Sequence, residues 1–386
     1  LLPLATFALR VYKDDPCECF KLKGEQNRDI NEKQLEMRMH KAMSVIQFKV
    51  EGQIIKKNPG FHLEDRNLLD KIDYERGVIT LDGKEYEMLD INFPTIDPKH
   101  PYALSKDEEE IMSRLESAFL NCEKLQDHMR FLLNKGGLYK VYNGNLLYHG
   151  CVPLKEDGTL KSVRLYGRSY KGKSLYEVLE SYVRKGFYAL NKKEKERGKD
   201  MMWYIWLSEN SPLFGKDKMA TFERYFLAEK ETHKEKKNPY YNLLENEKVI
   251  NMILKEFGLT EESSHIINGH VPVKVITGES PIKCNGKVLV IDGGFSRAYQ
   301  KQTGIAGYTL IYNSYGLILA AHEPFESTEA AIEKESDIHS DSVVVKRVLE
   351  RKLVGDTDIG QELKEQIEDL KMLLQAYRSG EITERM

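Results

Sequence analysis

NLLYHGCVP, residues 145–153, decides how this chain is read. Two leucines and a tyrosine make a short apolar strand. It runs into His149-Gly150, and Pro153 then removes a donor from any ladder. A side chain at a strand end sits on rigid backbone, and the neighbouring glycine lets another group come close. The same setting returns in HIINGH, residues 265–270, where Gly269-His270 is followed by Pro272. A neutral imidazole with one nitrogen free and the other held is a common metal ligand. Either one alone reads more readily as a structural histidine; the matched pair sets a cation centre shared by His149 and His270 level with that reading.

Working outward, LYKVY, Asn143-Gly144 and NLLYH form a β-hairpin, because a type I′ turn needs positive φ at both central residues. Residues 77–89 repeat the pattern around Asp82-Gly83. Residues 105–137 predict one amphipathic helix, opened by a Ser105/Glu108 capping box and closed by Gly136-Gly137. Residues 26–50 predict another, with Leu35, Met39, Met43 and Ile46 on one face and Asn31 as its cap. From residue 265 the runs HIINGH, VKVIT, KVLVIDGG, GYTLIY and LILAAH predict strands, with turns at Asn285-Gly286 and Asn313–Gly316. The expected class is α/β: a β-sandwich flanked by helices. Residues 1–155 supply part of its core with helical and hairpin additions, and 156–264 a polar, mostly helical insert. Residues 265–337 supply the β-rich second half, and 338–386 a helical tail.

Of the 386 residues, 41% are hydrophobic, enough for a sizeable core. Lys and Arg (58) nearly balance Asp and Glu (61), so charge points to neither nucleic acid nor an anionic membrane. The charge runs at 190–199 and 229–237 lack the aromatic interleaving that base stacking needs and read as solvated faces. No apolar run reaches the roughly 18 residues of a membrane span. Five cysteines without CxxC spacing fit reduced thiols in a cytoplasm and argue against a disulfide framework or a cysteine zinc site. The chain opens with LLPLATFALRVY, inside what reads as a helix and without a methionine, so a piece of a longer protein is expected.

LLYHGCVPLKEDGT and INGHVPVKV resemble the last two metal-ligand blocks of calcineurin-like metallophosphoesterases. LLPLATFAL, YKDDPCE, WLSENSPLFGKDKMATFERYF and the block from residue 269 to 325 resemble, more narrowly, class III bacterial fructose-1,6-bisphosphatases. The resemblance implies a metallophosphoesterase-type sandwich and a two-metal centre of Mn²⁺ or Mg²⁺. It implies hydrolysis of a sugar bisphosphate, fructose 1,6-bisphosphate, by metal-activated hydroxide, as part of gluconeogenesis in the cytoplasm. His149 and His270 would each ligate a metal. The family's DxH, GDxxDRG and GNH[DE] blocks are not at their places in this sequence. The one DxH string, Asp337-Ile338-His339, follows both histidine blocks and reads as chance. Pro272 stands where many relatives carry a second imidazole, so one ligand is assigned there. Two other readings stay open: a non-catalytic regulatory or scaffold module of the same fold, and a different metallophosphoesterase. A homo-oligomer is compatible with either.

A bisphosphate also needs cations for its remote phosphate. Lys216 and Lys218 in SPLFGKDKM, Arg168 in YGRSYKGK and Arg297 in GGFSRAYQ are the candidates, although each taken alone reads more readily as a surface cation. Asp292, at the end of VLVID, reads as an acceptor behind a ligand histidine or as the cap of its own turn. Gly293 and Gly294 after it would let a phosphate approach the backbone. His265 and His322 read as structural, and Trp203, Tyr204 and Trp206 as core packing under the metal mouth.

Overall fold

The computed structural model describes residues 2–21, 29–260, 263–292, 294, 296–325, 327–333, 335, 340–347 and 350–383, with residues 297 and 298 described by backbone only. The Asp337-Ile338-His339 string, Gly293 and the Arg297 side chain lie outside that set. The architecture is α/β, with helices and several sheets. It divides into two compact units: residues 1–137, 162–171 and 177–237, and residues 138–161, 172–176 and 238–386.

The first unit is built on the helix Ile30–Lys57. Its cap is Asp29 rather than Asn31: the Asp29 carboxylate accepts from the Asn31 and Glu32 N–H groups and satisfies donors the first turn leaves orphaned. The expected face is only partly right. Ile46 is buried, Leu35, Met39 and Met43 are half-buried, and Met37, Ala42, Val45 and Phe48 sit deeper. Phe222 and Phe226 both pack edge-on against Phe48 within one core cluster. The Asp82-Gly83 hairpin forms as expected, pairing Val78–Leu81 with Lys84–Glu87.

Residues 105–137 fold into two helices, Lys106–Leu120 and Glu123–Lys135. The capping box and the Gly136 stop are both present. The break falls at Asn121, whose amide donates to the Ser117 carbonyl and so competes with the backbone ladder. Tyr204 is core, but Trp203 is half-buried and Trp206 is 51% exposed; the apolar run outlasts the buried face of its helix.

In the second unit five strands form one sheet: β1 (Tyr139–Tyr142), β2 (Asn145–Tyr148), β3 (His265–Asn268), β4 (Ile282–Lys283) and β5 (Val288–Val290). Their order is β1-β2-β3-β5-β4. The Asn143-Gly144 turn takes φ of 47° and 72°, the signature of type I′. β2 and β3 run parallel, Asn145 opposite His265 and Leu147 opposite Ile267, and β5 runs parallel to β3. Such strands are covered on both faces and read as continuous apolar runs. Ile266, Val288 and Val290 face the helix Glu247–Glu256, whereas Ile267 and Leu289 meet Leu317 of a second sheet. That sheet is the antiparallel trio β6 (Gly307–Asn313), β7 (Gly316–His322) and β8 (Ser340–Arg347).

Two sequence expectations fail here. Within VKVIT the chain makes a 3₁₀ turn, Val275–Thr277, and not a strand, because Pro272 and Gly278 bracket it too closely for a ladder. The tail is not helical throughout: Ser340–Arg347 is the third strand of the second sheet, and Asp358–Ser379 is the long helix. Val343-Val344-Val345 explains the strand, since β-branched residues favour a pleated surface.

Candidate metal centre

β2 and β3 are parallel and adjacent, so their C-terminal ends open at the same edge of the sheet. Residues 149 and 270 follow those ends directly. His149 Nε2 and His270 Nδ1 lie 3.0 Å apart, with ring centroids at 4.9 Å and planes at 74°. His149 is exposed and His270 half-buried, so the pair has an open mouth. His270 adopts φ 68°, a left-handed conformation uncommon outside glycine but tolerated by histidine. That backbone turns the chain off β3 and carries the ring over His149.

The segment after β2 is pinned by three successive carbonyls. Gly269 N–H donates to His149 O (2.9 Å), Asn268 Nδ2 to Gly150 O (3.0 Å), and Tyr176 Oη to Cys151 O (2.9 Å). The Tyr148 and Tyr240 hydroxyls meet at 2.7 Å beneath it, and burial pushes the Tyr148 phenol well above its ordinary pKa. A neutral, apolar floor therefore holds the imidazoles in place. Asn268 is buried and its Oδ1 has no hydrogen-bond partner among the described residues, a costly arrangement for an amide.

Asp292 closes the site from the loop after β5. Its Oδ1 accepts from Gly294 N–H (2.9 Å), so it caps its own turn. A Cβ added at Gly269 would lie 3.5 Å from Asp292 Cβ and 3.8 Å from Oδ2, which places the carboxylate beside the Gly269-His270 turn.

One cation held by two imidazoles with bonds of about 2.1 Å, at angles of roughly 90–109°, sets its nitrogens about 3.0–3.4 Å apart. The observed 3.0 Å fits that demand. Among the described residues no group of three or more His, Cys, Asp or Glu is arranged to hold a metal ion. By itself the pair offers two nitrogens, fewer than the roughly four or more donors such a cation takes.

The remaining candidates lie in the other compact unit or outside description. Lys216 pairs with Glu235 at 2.7 Å and Lys218 with Glu223 at 3.5 Å. Arg168, in the hairpin strand Arg168–Tyr170, is exposed and makes no ion pair among the described residues. All three belong to the first unit. His322 bonds Thr309 and Ser340, as a structural histidine does. Sequence reasoning missed Asn268 and Tyr176. The signal for Asn268 was available: a lone amide inside an otherwise apolar buried strand must have a partner.

The sequence is matched in known proteins. The family described as Firmicute fructose-1,6-bisphosphatase matches residues 1–379. A fructose-1,6-bisphosphatase class 3 of Alkaliphilus metalliredigens is 57% identical over all of this chain and 59% of its own length. Those of Clostridium novyi and Clostridioides difficile are each 56% identical, over all of this chain and 58% of theirs. The chain thus spans a little under three fifths of the length of these relatives. No solved structure matches it. On a match running from the first residue almost to the last, the chain belongs to the Firmicute fructose-1,6-bisphosphatase family.

Proposed function

We propose that this chain takes part in the metal-dependent hydrolysis of fructose 1,6-bisphosphate to fructose 6-phosphate and phosphate, a gluconeogenic step, in the cytoplasm. The observation that carries the reading is the meeting of His149 Nε2 and His270 Nδ1 at 3.0 Å above an open mouth. Relatives named fructose-1,6-bisphosphatase class 3 support the substrate. A metallophosphoesterase-type sandwich is the fold proposed for the second unit, and Mn²⁺ or Mg²⁺ in a two-metal centre the cofactor. When bound, such cations lower the pKa of water and polarise a phosphoryl oxygen.

In this scheme His149 and His270 donate one nitrogen each. Gly150 and Gly269 keep the approach clear of side chains. Asn268, Tyr176 and the Gly269 N–H fix the 149–151 segment, so the imidazoles need no reordering when the centre fills. Asp292 supports the Gly269-His270 turn from behind. Lys216, Lys218, Arg168 and Arg297 are the cations proposed for the remote phosphate. At Lys216 and Lys218 a phosphate has to displace Glu235 or Glu223; Arg168 has no such competitor among the described residues.

Phosphate release from fructose 1,6-bisphosphate with Mn²⁺ tests the reading on protein containing this sequence. His149→Ala and His270→Ala should each reduce it about 100-fold or more, since even residues behind a ligand cost about 10–100-fold. Activity untouched by both changes sinks the site. A non-catalytic module of the same fold is the second reading, favoured by the incomplete donor set among the described residues. It predicts cation binding by the histidine pair with no phosphate release in any context.

A further inference from the structure

The same two strands that present His149 and His270 at one end hold a third histidine at the other. Asn145 opens β2 and His265 opens β3, directly opposite each other. Asn145 Nδ2 donates to the Tyr142 and Asn143 carbonyls at 3.3 and 3.0 Å. Its Oδ1 therefore faces His265 Nδ1, at 3.1 Å. An amide oxygen only accepts, so Nδ1 carries the ring hydrogen and Nε2 is left with a lone pair. His265 is 6% exposed, yet Nε2 makes no hydrogen bond among the described residues. The ring lines a cavity of about 220 Å³.

That cavity has cationic and acidic walls as well. Lys346 and Lys352 border it, and Lys352 Nζ makes no ion pair among the described residues. Asp356 and Asp358 border it too, each with one carboxylate oxygen held by a backbone N–H, from Leu353 and Asn143 respectively. Asn143 Oδ1 accepts from Asp358 N–H in return (3.0 Å), so the start of the tail helix is latched to the hairpin turn and closes the cavity. Burial first, then Lys346, Lys287 and Lys352, depress the His265 pKa to about 4, and near neutral pH Nε2 accepts and does not donate. The lone pair calls for a hydroxyl or N–H, the Lys352 ammonium, with the charge of Lys346 beside it, for an anion, and the carboxylate oxygens left without a hydrogen bond among the described residues for hydroxyls. The lysines argue against a metal ion.

We propose that this cavity is a binding site for a small polyol phosphate: the phosphate on Lys346 and Lys352, a hydroxyl donating to His265 Nε2, and others to Asp356 and Asp358. The site is separate from the candidate metal centre and stands whether or not the function proposed above holds.

Isothermal titration calorimetry on the full chain tests it with two probes: glycerol 3-phosphate, and methyl phosphate, which lacks the hydroxyls. Glycerol 3-phosphate should bind about tenfold or more tighter, and Lys352→Ala should weaken it by about tenfold, as expected for a lost charge-assisted hydrogen bond. His149→Ala should leave its affinity unchanged. The His265 Nε2 nitrogen resonance should move on addition of glycerol 3-phosphate. No heat at about 10 mM ligand, equal affinity for the two probes, or binding abolished by His149→Ala but not by Lys352→Ala, overturns the proposal.

Discussion

In the first unit Lys49 has 0% side-chain exposure and Lys41 the same. In the second His149 is exposed and its ring meets another imidazole. Lys49 is enclosed by Glu108 Oε2 at 2.8 Å, the Thr95 carbonyl at 2.6 Å and the Thr95 hydroxyl at 3.3 Å. Lys41 is enclosed by Asp15 and Asp90 at 2.5 and 2.6 Å. These ammonium groups have their partners, and nothing further can be asked of them. The histidine pair is the reverse, with a rigid apolar floor beneath and a polar, open top. The difference teaches that charge in a sequence says little about chemistry until its partners are known. A buried charge fully met by the fold is structure, and an accessible nitrogen on a fixed backbone is available for function.

The sharpest way to break the comparison is to remove one partner of a sealed pair. Lys49→Met leaves Glu108 buried without its cation and should destabilise the protein by about 3–5 kcal/mol, read by denaturant unfolding of the full chain. His149→Ala in the same experiment should cost less than about 1 kcal/mol, as for an exposed position. Equal costs would erase the distinction.

His265 belongs to neither class, being buried like the lysines yet left with an open nitrogen, and it carries a pH signature. Its folded pKa, about 4, lies below the ordinary 6.5. Between those values the unfolded chain binds a proton the folded chain refuses, so stability rises with pH across that window. It is complete above about 6.5 and falls by roughly 3 kcal/mol as pH drops to 4. Asp15 is expected to add a separate loss at lower pH. Burial alone would raise its pKa, but the Lys41 ammonium brings it below the usual carboxylate value. The stability it contributes is therefore present above that value and lost as pH falls below it. Replacing His265 by Asn should flatten the 4-to-6.5 slope; an unchanged slope would assign the effect elsewhere.

The smallest effect sharpens the site itself. Asn268→Leu removes the donor to Gly150 O and also an unpartnered buried oxygen, so stability should move little. Co²⁺ affinity, read by its absorption spectrum, should fall about 10–100-fold if Asn268 positions His149, with partial recovery in Asn268→Gln. Undiminished affinity makes Asn268 packing alone.

Some of this was legible beforehand. The hairpins at Asn143-Gly144 and Asp82-Gly83 and the Ser105 capping box depend on a few neighbouring residues, and each formed as read. The strand-end placement of His149 and His270 was legible too, each beside a glycine and shortly before a proline, whereas their approach to 3.0 Å follows from the parallel pairing of their strands. The reading stopped where partners lie far off in sequence. Nothing near Lys41 or Lys49 announces that helix Ile30–Lys57 sinks both into a core, since Asp15, Asp90 and Glu108 arrive from other segments. The break at Asn121 turned on one amide competing with the ladder inside an otherwise regular amphipathic pattern. The strand Ser340–Arg347 was lost to the helical signal that follows it.

By itself the sequence determined the short-range events: turns that require positive φ, helix starts that require a cap, and strand ends that present an imidazole. Only the tertiary structure decided which polar groups are spent and which remain. Burial and partnering are set by segments far apart along the chain, 59 positions for Lys49 and Glu108 and 120 for His265 and Asn145, and a free nitrogen on His265 or a sealed ammonium on Lys49 exists only once those segments meet.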